Sequence, residues 1–136
     1  MNRPYSKALK CLQDFGLRPT RQRLALAKIL FDGDDRHVTA EVLHNEVNGT
    51  GAKVSLATIY NTLHQFTEAG LLKEVILDSN RTYFDTNISD HHHIFFKEDE
   101  ILADLTSEDL VISSLPEVPE GKKISAVNVV IHMENS

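Results

Sequence analysis

Ser55-Leu56-Ala57-Thr58-Ile59-Tyr60-Asn61-Thr62-Leu63-His64-Gln65-Phe66 is the stretch whose reading decides this fold. Leu56, Ile59, Leu63 and Phe66 recur at helical spacing, so they share one face of a helix. Ser55 suits the N-cap, where its hydroxyl accepts from a first-turn N–H that the helix itself leaves unpaired. Ala69-Gly70 closes the helix. Ser55, Thr58, Tyr60, Asn61 and His64 are then the outward residues of its first turns.

Three more helices precede it. Residues 3–14 form an amphipathic helix, with Ala8, Leu9 and Leu12 opposite Lys7 and Lys10, and Gly16 ends it. Thr20 caps a second helix running to about Phe31, with Leu24, Ala27 and Leu30 or Ile29 at helical spacing. Thr39 caps a third, which contains Leu43 and Val47 and stops at Asn48-Gly49-Thr50-Gly51. After the fourth helix, residues 72–77 and 82–85 are strand-like and Asp78-Ser79-Asn80-Arg81 is the turn between them. Three helices followed by a β-hairpin make a winged helix-turn-helix, whose last helix enters the major groove.

The composition then changes. Asp90-His91-His92-His93 opens a second region, where residues 94–96 and 101–105 read as strands. Thr106-x-x-Asp109 starts a short helix with Leu110, Val111 and Leu115, stopped by Pro116, and residues 123–133 alternate as a strand. So few elements bury little apolar surface, and a second copy of the chain is the simplest way to cover the rest. The expected class is α+β, with an N-terminal winged helix-turn-helix domain over 1–85 and a small α/β dimerisation domain over 86–136.

The bulk properties agree. In 136 residues, 41% hydrophobic and 25% charged is ordinary for a globular chain and excludes a disordered one. No window reaches the ~18 apolar residues of a membrane span, and the N-terminus lacks the apolar core of a signal peptide. A cytoplasmic protein with no membrane partner is expected. Cys11 is the one cysteine, so there is no internal disulfide and no Cys-x-x-Cys zinc site. The net charge of −6 is unevenly spread: residues 1–30 carry seven Lys/Arg and one acid, residues 86–136 three bases and ten acids. Phosphates respond to local charge, and the basic end suits them. Solvated helix faces would show the same bases.

Any metal here must use His and carboxylate ligands. His91 and His93 share one face of a strand, as two ligands of one ion must, and a set without sulfur suits Zn, Mn or ferrous iron. A histidine triplet by itself is more often a polar surface or turn feature than a ligand set.

The chain resembles the ferric uptake regulator family of bacterial transcription factors over nearly its whole length. The resemblance is carried by Gly16-Leu17-Arg18-x-Thr20-x-Gln22-Arg23, His37-Val38-Thr39-Ala40-Glu41, Ser55 to Leu63, Gly70-Leu71-Leu72 and the histidine cluster. Within the family it is most similar to the iron response regulator (Irr) branch of α-proteobacteria, which has a histidine triplet. The resemblance implies a homodimer that binds operator DNA. Tyr60 would touch bases and Arg18 and Arg23 the minor groove or phosphates, with Ser55, Thr58 and Asn61 beside them. Many members place an arginine where this chain has Asn61, an amide suited to adenine.

The resemblance also implies a metal set of His37, Asp85, His91, His93 and Asp104. A second family site maps to Asp90, His92, an acid at Glu108 or Asp109, and Ser125, so it has lost a histidine. The Cys₄ zinc site is missing, with Phe96 and Asp99 at its first pair. For the iron response regulator branch, His91, His92 and His93 would form a haem site, where one axial histidine suffices. The Cys-Pro haem motif of some relatives is missing, since Leu12 follows Cys11.

The expected function is therefore a haem-responsive regulator of iron and haem metabolism genes, bound to DNA when iron or haem is scarce and released by haem, acquired free or from a haem-delivering protein. The alternative is a repressor that needs Mn²⁺ or Fe²⁺ and ignores haem. A metal-dependent hydrolase would leave the basic helices and the hairpin unexplained, and so the chain is not expected to be an enzyme. A winged helix that binds protein instead of DNA is a further alternative, which a gel shift would eliminate.

Overall fold

In the computed structural model, which describes residues 6–136, the chain divides into two compact units between Ile88 and Ser89. The first contains α1 (Ser6–Asp14), α2 (Arg21–Phe31), β1 (His37–Val38), α3 (Ala40–Gly49), α4 (Leu56–Ala69), β2 (Lys73–Asp78) and β3 (Arg81–Asp85). The expected first helix begins at residue 3; its residues 3–5 lie outside the described ones.

Local chemistry sets the helix ends. Thr20, Thr39 and Ser55 are all extended N-caps whose hydroxyls accept from Arg23, Val42 and Thr58 N–H respectively. Gly70 ends α4 with φ 91°, a left-handed turn that a side chain would strain, and Leu71 N–H then reaches back to the Phe66 carbonyl at 2.9 Å. The inner face of α4 (Ile59, Thr62, Leu63, Phe66) is buried, and Ile59, Leu63 and Phe66 join Leu12, Leu26, Leu43 and Phe84 in one core.

The sheet of this unit has the order β1-β3-β2, all antiparallel. β1 was not expected. Two residues are too short to show alternation, and what holds them is tertiary. Thr86 Oγ1 accepts from Arg36 N–H at 2.8 Å, and Thr86 N–H donates to the Arg36 carbonyl at 3.1 Å, which extends the pairing of His37 with Asp85. The Arg36 guanidinium forks onto both Glu46 carboxylate oxygens of α3, at 2.8 and 2.7 Å, and that hydrogen bonding raises its already high pKa.

The second unit is a sheet of β4 (His92–Phe96), β5 (Ile101–Leu105) and β6 (Val130–Met133), in the order β5-β4-β6, with β4 and β6 parallel. Two expectations fail here. The helix from Thr106 does not form. Thr106 Oγ1 donates to Asp109 Oδ2 at 2.7 Å and Asp109 N–H bonds the Thr106 carbonyl at 3.1 Å, but that turn stops there. A helix of under three turns before Pro116, with Val111, Ile112 and three serines in it, pays nucleation with no packing in return, since Val111 is 80% exposed. The expected strand over 123–133 shortens to Val130–Met133, because β4 offers ladder partners only from His93 to Phe96.

Candidate metal and nucleic-acid sites

The second unit assembles a donor set at the start of β4. His93 stands directly across from Asp104 of β5, and His91, two residues earlier, lies on the same side. His91 Nε2 is 3.0 Å and His93 Nε2 3.6 Å from Asp104 Oδ1, and the two rings are 4.5 Å apart. Each of the three offers one ligand atom within 4.8 Å of the others. His91 Nδ1 lies 2.6 Å from the Ser89 carbonyl, which can only accept, so Nδ1 carries the hydrogen. In the neutral ring Nε2 then presents a lone pair to a carboxylate. That arrangement is favourable only with a cation between them or a second proton on the ring. A backbone carbonyl fixing the tautomer of a ligating histidine is the usual arrangement behind metal sites. The donor set fits a borderline divalent ion.

The first unit holds the other pair. His37 Nε2 is 3.1 Å from Asp85 Oδ2, on neighbouring strands in direct register. Asp85 is 1% exposed, and its Oδ1 accepts from Asn87 N–H at 2.9 Å. A carboxylate this buried needs such partners.

His92 faces differently from its neighbours. Its Nδ1 accepts from Val129 N–H at 3.1 Å, and its side chain lines a cleft of about 350 Å³ with Asp90, Leu105, Leu110 and Val127. His91 also borders this cleft, whereas His93 is not among its lining residues. The structure thus separates the triplet: His91 and His93 converge on Asp104, while His92 sits on the cleft. Ser125 lies in the irregular segment before β6.

The expected DNA residues separate too. Arg18, Arg23, Thr58 and Asn61 line one groove of about 390 Å³ between α2 and α4, with Gln22 and Gln65. Ser55 is occupied as the cap of α4 and also donates to Thr58 Oγ1 at 3.0 Å. Tyr60 donates its hydroxyl to Glu41 of α3 at 2.7 Å. That bond, with burial and the Glu41 charge adding to it, raises the Tyr60 pKa above its ordinary value. Gln65 and Glu41 were missed by sequence reading. Gln65 lies one turn beyond Asn61, so the periodicity that turns Asn61 outward carries the signal for it.

The sequence model of the Ferric uptake regulator family matches residues 14–132. The chain belongs to this family. It is 37% identical over 87 residues to the peroxide operon regulator of Bacillus subtilis, a match covering 64% of this chain and 59% of that protein. It is 31% identical over 83 residues to the ferric uptake regulation protein of Vibrio parahaemolyticus, covering 61% of this chain and 56% of that protein. The matched stretch thus spans little more than half the length of these relatives. The ferric uptake regulator of Pseudomonas aeruginosa, solved with manganese, superposes with a TM-score of 0.70 at 22% identity over 94% of this chain and 97% of that one. At that identity the likeness establishes the shared fold, α+β. Among the described residues no helix is long and apolar enough to cross a membrane.

Proposed function

We propose that this chain is a transcription regulator that binds operator DNA as a homodimer in the cytoplasm and answers to a divalent metal ion, Mn²⁺, Fe²⁺ or Zn²⁺, held by His37, Asp85, His91, His93 and Asp104. The observation that carries the reading is the donor set at the start of β4 and on β5, where His91, just before β4 and with its Nδ1–H on the Ser89 carbonyl, and His93 both aim Nε2 at Asp104. When bound, the ion supplies charge neutralisation of these carboxylates and a tie among its ligands. The DNA face would be α4, with Arg18, Arg23, Thr58 and Asn61 around one groove and Tyr60 beside them. Exposed Val111, Leu115, Val118 and Val127 in the second unit support a second copy as partner.

A second reading makes haem the signal, as in a regulator of iron and haem metabolism genes from the iron response regulator branch. Its support is the cleft beside His92, whose Leu105, Leu110 and Val127 offer apolar walls to a porphyrin and whose His92 and His91 supply imidazoles. His93 would then serve only if it left Asp104.

One experiment tests both readings. Operator affinity is titrated at fixed salt with the apo, Mn²⁺-loaded and hemin-treated protein side by side. Tighter binding with Mn²⁺, lost in His93→Ala, is the result expected from the first reading. Hemin weakening the complex, with a Soret shift lost in His92→Ala, would establish the second. Equal affinity for all three forms would sink the ligand-responsive function altogether.

A further inference from the structure

We infer that Gln65 is a positioning residue that holds the Arg23 guanidinium ready for a DNA phosphate. The inference rests on the DNA-binding reading above and adds a residue to it. Arg23 donates Nε–H and one Nη2–H to Gln65 Oε1, at 3.2 and 2.9 Å, and one Nη1–H to the Arg18 carbonyl at 2.9 Å. Two of the five guanidinium N–H donors remain, one on each terminal nitrogen. The pair joins residues 42 positions apart, α2 to α4, at the surface. A neutral amide gives Arg23 a fixed direction without cancelling its charge, which an acid at this position would do. Because guanidinium only donates, the amide must turn its oxygen to Arg23, on the groove lined by Arg18, Thr58 and Asn61.

A long cation normally gives up rotamer freedom when it grips a phosphate. Here that freedom is already lost in the protein without DNA, as preorganisation requires. The phosphate contact is independent of sequence, so a random-sequence duplex several helical turns long is a sufficient probe.

The experiment is a double-mutant cycle on that duplex, with Mn²⁺ present and absent, over a range of salt. Gln65→Ala should weaken binding about three- to tenfold, with the salt slope unchanged because the charge remains. Arg23→Ala should weaken it more and reduce the slope by about one. In the Arg23→Ala background, Gln65→Ala should change affinity by less than about twofold, because Gln65 acts through Arg23. Gln65→Glu should keep the guanidinium in place but lower the salt slope by about one, a change that a merely structural role would not produce. Gln65 is exposed on α4, so the melting temperature should stay put, and Gln65→Met provides an isosteric second variant should the alanine variant melt early. If Gln65→Ala costs the same with and without Arg23, Gln65 touches DNA on its own account and the inference is overturned. If the wild-type protein binds no duplex at all, the DNA-binding reading falls with it.

Discussion

The two units solve the same problem, covering apolar side chains, in opposite ways. In the first, Leu26, Leu43, Leu63, Phe66 and Phe84 are completely buried by the unit's own helices and sheet. In the second, only Phe95, Leu102 and Leu105 are buried apolar residues, while Val111, Leu115, Val118 and Val127 stay exposed, from 38% for Val127 to 80% for Val111. Size accounts for the difference. A unit of under fifty residues has too much surface for its volume, and one three-stranded sheet covers a single face. A closed core frees the outer face of α4 to be polar. An open one leaves an apolar surface, which on the proposal above a second copy would cover.

The largest effect that would sharpen this contrast is a cavity in each unit. Phe66→Ala should cost about 3–5 kcal/mol in urea unfolding, because the packed surroundings cannot collapse onto the space. Phe95→Ala, under a thin sheet with room to relax, should cost less than about 3 kcal/mol. Equal costs would show that the second unit is as well packed as the first and would break the comparison.

A smaller effect follows from the exposed apolar surface. If a second copy covers it, unfolding of the second unit must depend on protein concentration and unfolding of the first must not. Each tenfold rise in concentration should stabilise the dimer by about 1.4 kcal/mol. Joint replacement of Val111 and Leu115 by serine should abolish that dependence and shift the sedimenting species to a monomer. A wild-type unfolding curve that does not move with concentration would refute the dimer.

The same contrast explains what was legible in the sequence. In the first unit the signals were local and agreed with one another. Ser55 and Thr39 are helix caps, Gly70 takes the left-handed turn, and Ile59, Leu63 and Phe66 form the buried stripe, all as their spacing predicts. β1 escaped because the Arg36–Thr86 pairing that holds it links residues fifty positions apart. In the second unit the helix expected from Thr106 is a single turn, since the contacts that would stabilise it are not within the unit. The strand pattern over 123–133 found a partner only where β4 runs beside it. Alternation rightly put His91 and His93 on one side, but it cannot reveal that Ser89 fixes one ring or that Val129 takes His92. Polar partners at the surface are the least legible of all, and Glu41 and Gln65 are examples.

The smallest effect tests whether the first unit is ordered even at that surface. The Tyr60–Glu41 bond raises the folded-state pKa of the phenol above its ordinary value of about 10. For an acid whose neutral form donates the bond, the sign is definite. The folded protein holds the proton more tightly than the unfolded chain, so the bond contributes its full stability below the ordinary tyrosine pKa. That contribution fades as pH rises from there through the higher folded value. A tyrosinate absorbance titration of the wild type, differenced against Tyr60→Phe to remove Tyr5 and Tyr83, should place Tyr60 above ordinary tyrosine. Glu41→Ala should bring it down, because the hydrogen bond is the leading cause and the charge on Glu41 acts in the same direction; burial alone would remain. If Tyr60 titrates as free tyrosine in the wild type, the contact is not maintained in solution. The polar face of α4 would then be as unsettled as the apolar face of the second unit, and the division between an ordered and an incomplete unit would hold only for their cores.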